Sequence, residues 1–195
     1  MKGLITLICA VFVMPCMAAT GKASATADDK APPLATNAPA EMSLLYPRIG
    51  QWNVTIRTLP GKSSPKGGVD HGVMTNTKGP GGFSVVQNFW SRGSSGHVVG
   101  QSYTWWDARA KTYKSVWCDN LQGCAEFTTS ITGNAWTVEM DSEAGGEKIH
   151  TIIHASMSAD HTAIHEEVAN AYDGGPSQAE TVSDYKRIAA PASVI

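Results

Sequence analysis

The chain has 195 residues, a formal charge of −2 and 42% hydrophobic residues. That size suits one domain with a real core, and a near-neutral balance without a basic stripe excludes nucleic acid as a partner. Beyond its first residues, no apolar run approaches the roughly 20 residues a membrane-spanning helix needs.

Met1 and Lys2 give a short positive start, and Gly3 to Met14 is an almost uncharged apolar run broken by Pro15. Cys16-Met17-Ala18 offers small residues where a signal peptidase reads, so 1–18 is expected to be a cleaved leader, with Ala19 as the alternative end. An uncleaved interfacial anchor and a lipoprotein carrying lipid on Cys16 are the competing readings. Residues 19–40 are rich in Ala, Thr, Ser, Pro and Lys and lack aromatics. They bury too little apolar surface to offset chain entropy and read as a flexible linker. The folded domain is expected over 41–190, with 191–195 as a tail. An exported protein, periplasmic or secreted, follows from the leader.

Glu41 to Arg48 carries Met42, Leu44, Leu45, Tyr46 and then Pro47, which allows one or two helical turns before the first strand. From Gln51 the period becomes two: Trp52, Val54 and Ile56 alternate with Asn53, Thr55 and Arg57. Similar runs recur at 69–78, 83–91, 98–107, 112–119, 124–132, 135–141, 148–156, 162–171 and 178–188. Turn-forming strings separate them, among them Gly79-Pro80-Gly81-Gly82, Gly133-Asn134 and Asp173-Gly174-Gly175-Pro176. No helix of useful length lies between strands, which excludes parallel crossovers. The pattern predicts an all-β fold: an antiparallel up-and-down, lipocalin-like β-barrel of about ten strands, closed to remove its edges, with an open sandwich as the alternative.

Cys118 and Cys124 flank the turn-forming string Asp119-Asn120-Leu121-Gln122-Gly123. Two strands joined there set the sulfurs opposite each other, so a disulfide is expected in an oxidising compartment. Closing so short a loop stabilises by about 2 kcal/mol, a local staple. The spacing is not that of a Cys-x-x-Cys redox pair. Phe89, Tyr103, Trp105, Trp117 and Trp136 all fall in strands and are expected to fill the barrel or to line a cavity for an apolar or aromatic ligand.

Gly50-x-Trp52 after a short helical entry resembles the first signature of the calycin superfamily, the lipocalins and fatty-acid-binding proteins. The resemblance implies that Arg187, in Tyr185-x-Arg187, packs across the face of Trp52 and helps Gly50 and Trp52 close one end of the barrel. More closely, the chain resembles the bacterial secreted family described as domain of unknown function 1579. The pieces that match, in order, are Gly50-x-Trp52, Gly81-Gly82-Phe83, Gly100 with Asp107, and Tyr113 to Trp117 with Asp119. Asp160-His161 and Tyr185-x-Arg187 complete them. Trp105-Trp106-Asp107 departs from the Gly-Tyr-Asp of that family, and the cysteine pair is an addition. The family carries no activity to transfer.

Histidine offers a second chemistry. His150 and His154 share a face of one strand, and an antiparallel neighbour would bring His165 and Glu167 close, an N/N/O set for zinc or a similar ion. One of His150, His154 or His165 would also serve as a haem ligand. No metal or cofactor is the preferred expectation. Catalytic motifs are lacking: there is no Gly-x-Ser-x-Gly elbow, His-Glu-x-x-His or phosphate loop, and Asp107, Asp119, Glu139 and Glu166 are scattered. The sequence thus points to an exported, monomeric barrel that binds a small apolar or amphipathic molecule. An envelope enzyme on the same scaffold and a filled barrel acting through its surface are the alternatives.

Overall fold

The computed structural model describes residues 37–189. The leader 1–18, most of the linker 19–40 and the tail lie outside the described residues. Ten strands follow one another: β1 (Gly50–Thr58), β2 (Gly68–Lys78), β3 (Val85–Gly93), β4 (Gly96–Asp107) and β5 (Thr112–Asp119), then β6 (Gly123–Thr132), β7 (Ala135–Ala144), β8 (Glu147–Met157), β9 (Ala163–Tyr172) and β10 (Gln178–Ala189). Each pairs antiparallel with the next, and β1 pairs with β10, so the sheet closes into an up-and-down barrel without a free edge.

The period of two holds throughout, but its phase is not constant. On β1 the apolar residues face inward, with Trp52 and Val54 buried. On β4 and β5 three of the inward positions are hydroxyls. Ser102, Thr104 and Ser115 are buried, and the Thr104 and Ser115 hydroxyls bond to each other at 2.8 Å. Their neighbours Tyr103 and Trp105 therefore face outward, and Tyr103 is 43% exposed. These two aromatics were expected inside the barrel. Side chains alternate strictly along a strand, so placing small hydroxyls inside forces the large residues between them onto the outer surface. Trp106 faces in instead, edge-on to Tyr113 with ring centroids 5.0 Å apart.

One end of the barrel is sealed by a 3-10 helix, Ala40–Arg48. A 3-10 helix repeats every three residues, so Met42, Leu45 and Arg48 share a face. Met42 and Leu45 are fully buried against Val85 and Tyr113, and Tyr113 donates to the Glu41 carbonyl at 2.6 Å. Burying each of these apolar side chains contributes roughly 1.5–3 kcal/mol. The chain then enters β1 through Gly50, whose φ of 132° is open to glycine and strained for other residues. That turn swings Trp52 beneath the helix, where its indole N–H donates to the Arg48 carbonyl at 3.0 Å.

Arg187 faces Trp52 directly across the β1–β10 ladder and stacks on it, its guanidinium carbon 4.0 Å from the ring centre. Its nitrogens donate to three backbone carbonyls: Pro47 and Ile49 at 2.6 Å and His161 at 2.7 Å. One side chain thus ties the helix, the start of β1 and the β8–β9 turn together. Cys118 and Cys124 are direct cross-strand partners with Cα atoms 4.0 Å apart, joined by a disulfide on the outer face of the β5–β6 hairpin.

Candidate ligand cavity

The barrel is hollow. Its interior holds a cavity of about 340 Å³, within the usual range for small-molecule sites. Two kinds of wall enclose it. Phe89, Trp117, Phe127, Ile153 and Val168 supply apolar and aromatic surface, and Ser102, Thr104, Ser115, Thr129 and Ser183 supply hydroxyls. Phe89 and Trp117 meet edge to face with centroids 5.9 Å apart, and the Trp117 indole N–H donates to Asp119 at 2.6 Å. Of the five aromatics expected at the site, Phe89, Trp117 and Trp136 line the cavity, whereas Tyr103 and Trp105 do not.

Three titratable side chains converge at the closed end: Arg48 from the 3-10 helix, Glu166 from β9 and Tyr185 from β10. The backbone of Arg48 is clamped, because its carbonyl accepts from the Trp52 indole and from the Asn76 side-chain amide at 2.9 Å. Its guanidinium lies 4.5 Å over the Trp136 ring. Unlike Arg187, it makes no side-chain hydrogen bond or ion pair among the described residues, and its Nε is buried without a partner. Burial works against its charge, yet arginine does not deprotonate in proteins, so the cavity contains a standing cation.

Glu166 is the nearest counter-group. Burial raises its pKa above the ordinary carboxylate range, against the pull of the Tyr185 hydroxyl and of Arg48. Tyr185 donates to its Oε1 at 3.2 Å. Burial and the neighbouring Glu166 hold the Tyr185 pKa well above that of a free phenol, so the hydroxyl keeps its proton.

Arg48 escapes an α-helical reading of Glu41 to Arg48, because only a repeat of three puts position 48 on the face of Met42 and Leu45. Glu166 is visible in the sequence, but its inward direction depends on the phase of β9, where Ile164, Glu166 and Val168 share a face.

The histidines lie elsewhere. His150 bonds to Asp141 at 2.8 Å, His154 to Thr137 at 3.2 Å and His165 to Asp184 at 2.8 Å, all on the outer face. The β8–β9 pairing does set His154 opposite Glu167, and Glu167 lies 3.4 Å from His165. Even so, no group of three His, Cys, Asp or Glu suited to a metal forms among the described residues, and no histidine lines the cavity. Asp107 and Asp119 cap their own turns, bonding to the backbone amides of Arg109 and Ala110 and of Leu121 and Gln122.

At the opposite end, the loop 59–67 reaches over the rim. The Leu59 amide donates to the Glu180 carbonyl at 2.8 Å, Ser63 bonds to the Glu180 carboxylate, and Lys62 pairs with Glu147 and lies 4.5 Å over the Tyr172 ring.

The described residues thus define a class of architecture, a closed antiparallel barrel with an internal cavity and three titratable side chains at its sealed end. No family model and no curated protein matches the chain. Among solved structures, the crystal structure of Rv2717c from M. tuberculosis is similar at 13% identity and a TM-score of 0.56, covering 78% of this chain and 100% of that one. At that identity the likeness shows the fold. No helix among the described residues is long and apolar enough to cross a membrane.

Proposed function

We propose that the protein is an exported barrel that binds a small amphipathic molecule inside the calyx. The carrying observation is the cavity itself: about 340 Å³ of interior space lined by aromatic and aliphatic side chains interleaved with hydroxyls. Space of that kind is empty of protein atoms at a cost in lost packing, and a ligand restores those contacts. Export is supported by the leader-like start and the Cys118–Cys124 disulfide, which suits an oxidising compartment. Membership of the domain of unknown function 1579 family rests on the order of its motifs and is part of the same proposal.

A neutral fluorescent probe, N-phenyl-1-naphthylamine, tests this reading. Saturable binding of one probe per barrel is expected, with quenching of the tryptophan emission to which Trp117 and Trp136 contribute. A linear, unsaturable response would sink the carrier reading. The convergence of Arg48, Glu166 and Tyr185 favours one second reading, catalysis on the same scaffold. A carboxyl whose pKa is raised by burial suits general acid–base chemistry. Turnover of a bound molecule that stops in Glu166→Gln would select it.

A further inference from the structure

Resting on the carrier reading, we propose that Arg48 is the head-group anchor of the calyx, and that its ligand is an organic monocarboxylate with an apolar body. The ligand's carboxylate sits at the sealed end on the guanidinium, and its body extends along Phe89, Trp117 and Phe127.

The contrast between the two arginines of this end carries the argument. Arg187 places each of its three nitrogens on a backbone carbonyl at 2.6–2.7 Å and so closes the barrel. Arg48 is held as firmly by its backbone, yet its guanidinium has no hydrogen-bonded partner among the described residues. A buried donor left without an acceptor costs free energy, more so on a charged group. A structure tolerates that cost where something else supplies the acceptor. The guanidinium lies over Trp136, 4.5 Å from the ring centre, and its N–H groups make no hydrogen bond among the described residues, so they remain for a planar, two-oxygen acceptor. A carboxylate matches that fork with two parallel bonds.

The surroundings select charge and size. Glu166 and Tyr185 are the other titratable groups lining the cavity. Among inward neighbours, β8 adds apolar Ile153 and β10 adds the Ser183 hydroxyl. Glu166 keeps its proton at pH values where an ordinary carboxylate has lost it, so it does not neutralise Arg48 in full and the site favours an anion. Once protonated, it is a further donor for a bound carboxylate oxygen. The apolar wall then accepts an uncharged tail. A cation is disfavoured by Arg48, and a neutral alcohol gains the tail contacts alone.

The test compares three probes that share one tail, decanoate, decanol and decylamine, on the full-length protein by tryptophan quenching and calorimetry. Decanoate is expected to bind at least tenfold more tightly than decanol, the scale of one charge-assisted hydrogen bond, and decylamine more weakly than either. Arg48→Met should bring decanoate down to the level of decanol while leaving decanol unchanged, and Arg48→Lys should restore part of the difference. Circular dichroism and the retained binding of decanol show that the variants are folded. If either variant does not fold, the ranking of the three probes on the native protein decides alone. Equal binding of decanoate and decanol by the native protein overturns the anchor and leaves the carrier reading standing. Absence of binding by all three overturns both.

Discussion

Glu166 and Arg48 face each other in the cavity without forming an ion pair, and the two charges respond to burial differently. The guanidinium stays charged. The carboxyl escapes by holding its proton, because desolvation disfavours its ionised form more than Tyr185 and Arg48 favour it. The direction of that shift sets a pH dependence of stability. Below the ordinary carboxylate range, Glu166 is protonated in folded and unfolded chains alike and costs nothing. As pH rises from there toward the raised pKa, the unfolded chain releases its proton while the folded one retains it, so this group makes the fold progressively less stable. Above the raised pKa the loss is constant. Glu166→Gln removes the ionisation and keeps an oxygen to accept from Tyr185. The variant is expected to melt at a higher temperature than the native protein at neutral pH, with the difference shrinking to nothing at acid pH. Thermal unfolding followed across pH checks this, and a constant difference at every pH would mean that Glu166 ionises in the fold as freely as in the unfolded chain.

The elements of the barrel were legible because turn chemistry and period two are local. β5 is expected at its observed bounds, and the other strands to within a few residues. What was not legible is which face of each strand turns inward, since that is decided by neighbours across the sheet. Tyr103 and Trp105 look like core residues until Ser102, Thr104 and Ser115 are seen to occupy the inside. The 3-10 helix has the same history. Met42, Leu45 and Pro47 announce a helical entry, but its tighter repeat, which aims Arg48 at the cavity, is enforced by packing on Val85 and Tyr113. The clasp at Arg187 holds that element in place. Arg187→Ala would leave the carbonyls of Pro47, Ile49 and His161 unpaired and uncover Trp52, whose exposure is 0%. A loss of about 3 kcal/mol is expected, the combined scale of charged hydrogen bonds and the stacked pair. Arg187→Lys should recover only part of it, because a single ammonium does not reproduce the fork that reaches three carbonyls. Chemical denaturation measures both, and an unchanged midpoint in the alanine variant would mean the clasp contributes nothing.

At the scale of the whole molecule, whether a ten-stranded barrel is hollow depends on the summed volume of its inward side chains. Serine, threonine and glycine at many of those positions leave the space, and the tryptophans shape it. Gly100 shows how closely the two are matched. It lies on β4 opposite Phe89 and Asp119, and a Cβ added there would come within 2.2 Å of the Trp117 ring. The indole therefore packs against the bare backbone of β4 at Gly100. Gly100→Val removes that seat. The Gly100 Cα cannot retreat outward without breaking its ladder, so the ring must swing into the free volume, next to Phe89. Overpacking of this kind costs about 1–3 kcal/mol, which a closed barrel tolerates, while the cavity gives up space a ligand body needs. The variant is expected to keep its β-sheet circular dichroism and to lose most of its affinity for N-phenyl-1-naphthylamine. Trp117→Ala placed in the same chain should return that affinity, because the displaced ring is then gone. Unimpaired probe binding in Gly100→Val alone would place the ligand outside this cavity.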